Sequence, residues 1–465
     1  MLGPDSTPMS QPNIPNAGSP STLSLQILPL KAGLPLGQPH KTKALIRLIS
    51  SQPLPSSVNE RAPLDLAIVI DRSGSMSGEP LAAAKAAAQN LIRGLGAADR
   101  VAVLVFDDKV DVLQPLGAVA DREAIAAKVA QVRSGGSTAL FDGWEAGARQ
   151  LLDQRGAERT RRVILLTDGQ ANRGLVDEDA IAAKVAEAAK AGVTTTTVGL
   201  GGAFQETLLG KMADAGNGQS HFGQRPEDLE EGFAEEFSLI NATHLRDLEF
   251  RVAGGTGVIA ELLLPNGKRG ASWRAGSLPC TASRDAVVEL TLGADRGGAT
   301  VAVTATGKDA AGETVTVGPV VLTLPELEPA AFALLPADPV VAAAIAESDF
   351  ADEFLRIHEL AREGKLQEAL AALRQLRERP GATQWATRTA SYIVGLADDD
   401  LELAIKELAY SGRAFRTRSK AVYANEAYDL IYDSDIESNA AEHLAKKIGM
   451  GRSRKRSRQE EGGAG

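Results

Sequence analysis

Asp71, Ser73 and Ser75 occupy alternate positions of the run Asp71-Arg72-Ser73-Gly74-Ser75, directly after the apolar stretch Leu66-Ala67-Ile68-Val69-Ile70. In a curled loop this spacing turns a carboxylate and a pair of hydroxyls towards one point. A hard, all-oxygen set of that kind suits Mg²⁺, with Mn²⁺ or Ca²⁺ as alternatives, rather than zinc. Serine brings no charge, so a divalent ion held there stays under-neutralised and attracts an acidic group from outside. Two more segments offer oxygens at matching places. Gly135-Gly136-Ser137-Thr138 is a flexible turn leading into a predicted helix Leu140–Leu152, and Thr167-Asp168-Gly169 follows the apolar run Val163-Ile164-Leu165-Leu166. An Asp-Gly step at the end of a core strand is a turn. Asp-x-Ser-x-Ser alone is a weak signal, because Asp and Ser are common in turns for local hydrogen-bonding reasons. Its force comes from the three segments together.

Those segments need a scaffold that brings them to one edge. Apolar runs at Leu66–Ile70, Val101–Phe106, Val163–Thr167 and Val193–Val198 read as core strands. Between them lie helical patterns at Pro80–Leu95, Asp121–Val132, Leu140–Leu152, Asp177–Ala191 and Gln205–Ala215, with Pro226–Ile240 as a closing helix. Strands alternating with helices of this length imply right-handed crossovers and a doubly wound, mostly parallel sheet. Ligands of such sheets collect at the carboxyl ends of the strands. The fold class is therefore α/β over residues 63–242. Residues 23–62 hold strands at Leu23–Leu28 and Thr42–Ile49, and the period falls to two again over 243–325. An isolated hairpin is marginal in water, so both parts are predicted to build one accessory β-sandwich into which the α/β unit is inserted. Pro325, Pro329, Pro336 and Pro339 read as a linker. Residues 340–449 read as a helical bundle, since the tetratricopeptide-like pair near Gly364 has no second copy at the required period. Residues 1–22 and 450–465 are expected to be a disordered leader and tail.

At this point the chain resembles a von Willebrand factor type A domain, whose metal-ion-dependent adhesion site combines an Asp-x-Ser-x-Ser loop, a threonine and a distal aspartate. The matching residues here are Asp71, Ser73, Ser75, Thr138 and Asp168. The flanks resemble the branch of inter-α-trypsin inhibitor heavy chains and bacterial calcium-activated-chloride-channel-like proteins. The resemblance implies that the serines bind Mg²⁺ directly and Asp71 through water. It also implies that Thr138 and Asp168 exchange between direct and water-mediated contact as a partner's Asp or Glu arrives.

Bulk properties narrow the classes. The chain has 465 residues, 44% hydrophobic and 24% charged, and a formal net charge of -10. That balance argues against nucleic acid as a partner, since phosphate affinity needs excess Lys and Arg. No stretch approaches the length of a membrane span. The lone Cys280 permits no disulfide within the chain, and the expected setting is cytoplasmic and bacterial. A dehalogenase-type site would want an acid where Ser73 stands. The Gly-x-Ser-x-Gly elbow, the His-Glu-x-x-His motif and a phosphate-binding P-loop are all missing. The predicted function is a non-enzymatic scaffold that takes an exposed Asp or Glu of a protein ligand. An adaptor of a separate AAA-type ATPase and a metal-dependent hydrolase are the alternatives. Asp107, Asp108, Asp142, His221, His244 and Cys280 are read as surface or structural residues.

Overall fold

The computed structural model describes residues 22–54, 62–153, 159–169, 171–201, 205–223, 242–294, 299–378, 384–417 and 420–421. The closing helix expected at 226–240, the leader up to residue 21 and the tail lie outside them.

Strands β1 (Leu23–Pro29), β2 (Leu34–Pro35) and β3 (His40–Ser50) come first. The α/β unit then runs β4 (Leu64–Asp71), α1 (Glu79–Gly94), β5 (Arg100–Phe106), β6 (Val110–Ala118), α2 (Arg122–Ala130) and α3 (Leu140–Leu152). It continues through β7 (Thr160–Thr167), α4 (Glu178–Lys190), β8 (Val193–Leu200), α5 (Glu206–Ala215) and β9 (Asn217–Gly223). Every residue of β4 is buried, as befits a strand covered on both faces. The sheet order is β6-β5-β4-β7-β8-β9, with β6 antiparallel and the remainder parallel. Leu66, Ile68 and Ile70 pack against α1 and α2, whereas Ala67 and Val69 face α3 and its neighbours. This is the doubly wound arrangement that the alternating pattern predicts.

Strands β6 and β9 were not legible as strands, and both are sheet edges. β6 has no buried residue and carries Pro115, which suits an edge. β9 reads Asn-Gly-Gln-Ser-His-Phe-Gly and lacks an apolar run. Helix α3 lies unusually close to the sheet because it presents glycines there. A Cβ at Gly143 would sit 2.5 Å from the Phe106 ring, and one at Gly147 would sit 2.4 Å from Val69 Cγ2. The turn that precedes α3 is thereby drawn down to the end of β4.

A second core lies between two antiparallel sheets. After β10 (Thr243–Gly254), β11 (Val258–Leu263) and β12 (Arg269–Gly270) come β13 (Ser272–Pro279), β14 (Ala282–Leu292), β15 (Ala299–Lys308) and β16 (Thr314–Leu324). One sheet is ordered β1-β3-β14-β11-β12 and the other β13-β10-β15-β16. β3 pairs with β14 over ten registered positions, from Ile49–Ser283 to His40–Leu292, so strands from both sides of the α/β unit share one sheet.

The proline-punctuated segment after Leu324 is more ordered than a linker. β17 (Glu326–Leu327) pairs in parallel with β2, and a short helix α6 (Pro329–Leu334) follows. Helices α7 (Pro339–Arg362), α8 (Leu366–Arg377), α9 (Gln384–Asp399) and α10 (Leu401–Thr417) form the helical part around Phe350, Phe354, Ile357, Leu373 and Leu408. A two-residue strand, β18 (Lys420–Ala421), returns to β14. α7 touches both other parts: Lys43 Nζ meets Asp349 at 2.5 Å, and His358 Nε2 meets Glu206 at 3.3 Å.

Candidate metal centre

Asp71 is the last residue of β4, and its side chain is fully buried. One carboxylate oxygen accepts from the Ser73 amide at 2.8 Å, which curls the loop; the other accepts from the Thr167 hydroxyl at 2.6 Å. The hydroxyls of Ser73 and Ser75 lie 3.2 Å apart. Ser73 is buried, whereas Ser75 sits in a single 3₁₀ turn, Gly74–Met76, and faces solvent. The first loop thus gathers its oxygens as the spacing predicts, with an outward-facing hydroxyl at its rim.

Backbone hydrogen bonds join the second loop to the first. The Gly74 amide donates to the Gly136 carbonyl at 3.1 Å, and the Gly135 amide donates to the Arg72 carbonyl at 2.8 Å. Gly136 has φ +75°, and a Cβ there would lie 2.9 Å from Asp107 Cβ and Asp108 Oδ1, so glycine is required. Thr138 is buried, and its amide donates to the Asn172 side chain at 2.8 Å. Asp168 follows β7, which neighbours β4. It is buried, and its carbonyl accepts from the Gln205 amide at 3.1 Å. All five candidate residues therefore stand at the carboxyl end of the central strands.

Electrostatics mark the same place. Burial pushes the Asp71 carboxyl from 3.8 up to about 6; the Thr167 and Ser73 hydrogen bonds oppose this, and the nearby Asp168 charge adds to it. Two carboxylates and three hydroxyls are all oxygen donors, and burial disfavours the bare charge of Asp71, so the donor set fits a hard divalent cation. Among the described residues no group of three or more His, Cys, Asp and Glu comes together, which leaves softer nitrogen and sulfur sites without a counterpart there.

Thr167 and Asn172 escaped the sequence reading. Each acts across to another element, and only the Thr167-Asp168 adjacency hinted at the former. Asp107 is not a free loop carboxylate either. It pairs with Arg72 at 2.9 Å and accepts from the Lys109 amide, while Asp111 takes the other arm of Arg72 at 2.6 Å. That clamp fixes the residue between Asp71 and Ser73. His244 bonds Ser50 at 2.7 Å and is held below its ordinary value by burial, and burial pushes the Cys280 thiol up. Both are structural in this setting.

The von Willebrand factor type A family model matches residues 65–235. The chain carries a von Willebrand factor type A domain. An uncharacterized protein of Synechocystis sp. is 30% identical over 183 residues, 39% of this chain and 43% of that protein. The chain spans less than half the length of the curated relatives it matches. Among solved structures, a von Willebrand factor type A protein from Catenulispora acidiphila superposes with a TM-score of 0.64 at 19% identity, covering 88% of this chain and 99% of that one. The ArnB paralog VWA2 from Sulfolobus acidocaldarius gives 0.59 at 15% identity, covering 85% and 99%. These two likenesses show the fold well beyond the von Willebrand factor type A domain itself. Such domains commonly mediate protein–protein interaction and often bind a divalent metal. No described helix is long and apolar enough to cross a membrane.

Proposed function

We propose that the protein is a non-enzymatic binding scaffold that engages an exposed Asp or Glu of a partner protein through a divalent cation, Mg²⁺ before Mn²⁺ or Ca²⁺. Asp71, Ser73, Ser75, Thr138 and Asp168 would hold the ion, which when bound would supply a positive contact for the partner's carboxylate. The observation that carries this reading is the buried Asp71 carboxylate, pinned by Thr167 and the Ser73 amide beside a close pair of serine hydroxyls. The chain's residues do the preparatory work. Thr167 and the Ser73 amide orient the Asp71 oxygens, and the Arg72–Asp107 pair holds the loop between Asp71 and Ser73. The Gly74–Gly136 contact keeps Thr138 beside the first loop, and Ser75 keeps the rim open to a partner. A nucleophile paired with a placed base is required for most hydrolytic chemistry, and the five residues named here carry hydroxyls and carboxylates, with no such pair among them. The setting we propose is the bacterial cytoplasm.

Titration calorimetry with Mg²⁺ on the full chain tests the site. Wild type binds one equivalent, and Asp71→Ala binds none while keeping its far-ultraviolet circular dichroism. A wild type that takes up no Mg²⁺, Mn²⁺ or Ca²⁺ removes the proposal. Capture of partners with and without EDTA then separates the alternatives: an ATPase among the EDTA-sensitive partners favours the adaptor reading.

A further inference from the structure

Asp168 is held from behind as well as by its own strand. Its carbonyl accepts from the Gln205 amide at 3.1 Å, and Gln205 is the residue that opens helix α5. Gly169 presses on the same turn. At φ +68° it comes so close that a Cβ would lie 3.2 Å from the Gln205 nitrogen and 3.2 Å from Leu209 Cγ. On its other flank the Gly169 amide donates to the Thr167 hydroxyl at 2.8 Å, and that hydroxyl donates to Asp71 at 2.6 Å. The first turn of α5 is therefore the surface on which the Asp168 turn rests.

The body of α5 and its first turn are anchored differently. Leu208, Leu209 and Met212 are buried in the core of the α/β unit, and the Leu209 carbonyl accepts from the Thr197 hydroxyl at 2.9 Å. The first turn carries Glu206, whose partner comes from another part of the chain: His358 Nε2 of α7 donates to its Oε1 at 3.3 Å. His358 is only 5% exposed, so its polar ring is taken out of water and the bond to Glu206 is costly to lose. Lys406 of α10, also buried, adds its charge to the same carboxylate. Helices outside the α/β unit thus grip the one turn of α5 that supports Asp168.

We propose that Glu206 and His358 are positioning residues of the metal centre, so that docking of the helical part on α5 sets how firmly Asp168 is held and with it the affinity for the ion. The path is short. It runs from His358 to Glu206, one residue along the chain to Gln205, and from that amide to the Asp168 carbonyl. Neither side chain is among the five oxygen donors, so both act through the backbone that carries Asp168. The effect on Mg²⁺ rests on the proposed metal centre, whereas the connection from α7 to Asp168 exists in the metal-free chain. Linkage makes the coupling reciprocal: if docking of α7 favours uptake of the ion, uptake favours docking by the same factor. A protein partner whose carboxylate reaches the ion would then tighten the helical part against the α/β unit. A partner that pulled α7 away would loosen the ion.

The test begins without metal. In the full chain in EDTA, His358→Leu should speed amide exchange at Gln205 and Gly169, read by NMR, because local opening of the α5 turn frees both donors. The Gly74 and Gly135 amides, which join the other two loops, should exchange as in wild type. His358→Gln, whose side-chain amide can donate from a similar place, should restore exchange at Gln205 and Gly169. Titration of the same proteins with Mg²⁺ should show His358→Leu weakened by about fivefold or more, the low end of ordinary couplings between sites, with His358→Gln close to wild type. Asp349→Asn is the control. It removes the ion pair of α7 with Lys43 of β3, so it loosens α7 without touching α5 and should leave Mg²⁺ affinity unchanged. In wild type, Mg²⁺ should slow exchange in α7 around His358, which a merely structural contact would not do. Unchanged exchange at Gln205 and Gly169 in His358→Leu overturns the proposal. So does an equal loss of affinity in Asp349→Asn, since that means general loosening. A wild type that takes up no cation overturns the metal centre and the effect on affinity together, and the metal-free exchange shows separately whether α7 holds Asp168.

Discussion

Asp71 is poised between two costs. Its carboxyl is raised from 3.8 to about 6, so in metal-free protein the unfolded chain gives up that proton at lower pH than the folded one. Stability therefore falls as pH rises from about 4 to about 6, by roughly 2–3 kcal/mol from this group if the whole shift is realised. Asp71→Asn should remove that slope and raise metal-free stability at pH 7–8 by up to about 2 kcal/mol, as read by denaturant unfolding in EDTA. The same substitution should abolish Mg²⁺ uptake. Thr167→Val should keep the fold and weaken Mg²⁺ by about tenfold or more, because partners of metal-binding carboxylates typically matter on that scale; calorimetry reads it directly. The five candidate residues could be named from the sequence because each sits in a short motif with its own local logic: a polar turn after an apolar run for Asp71, Ser73, Ser75 and Asp168, and a glycine-rich turn before a helix for Thr138. Thr167 and Asn172 could not, since their hydrogen bonds reach across strands and loops that no spacing in the sequence relates.

Elements carry the next layer. Gly143 and Gly147 let α3 lie against Phe106 and Val69, so Gly147→Ala overpacks a full core and should cost about 1–3 kcal/mol. It should also displace the Thr138 turn and reduce Mg²⁺ affinity, which a stability assay and calorimetry separate. At the far side α5 meets α7 through Glu206 and His358. Burial pushes the Glu206 carboxyl up, but the His358 hydrogen bond, its own amide and the charges of His358 and Lys406 outweigh it and hold the group below its ordinary 4.5. Its contribution is thus complete above about 4.5 and is lost as pH falls through the lower folded value. Glu206→Gln should loosen α7 from α5, with faster amide exchange in α7 near neutral pH and little difference once the wild-type carboxyl is protonated. The core strands and the helices between them were readable from periodicity, with boundaries within a few residues. The edges β6 and β9 and the pairing of β2 with β17 were not. A half-exposed strand needs no apolar pattern, and a two-residue pairing has too few residues to show one.

At the scale of the whole molecule, β3 supplies the partner of β14 along its full length, and Leu45 also receives Val341 and Ala344 of the helical part. Deleting residues 1–54 should therefore leave β14 as a long apolar edge. We expect loss of the sandwich and aggregation, measured by light scattering and near-ultraviolet circular dichroism, because unpaired edges of that kind template association. That pairing joins residues 234 to 252 positions apart, and it has a bearing on biogenesis. At ribosomal rates of about 5–20 residues per second, the N-terminal hairpin emerges about 10–50 seconds before its mate exists. It must wait, sticky and unaccompanied, while everything between is still being made, and a nascent-chain chaperone would find its client in those first fifty residues.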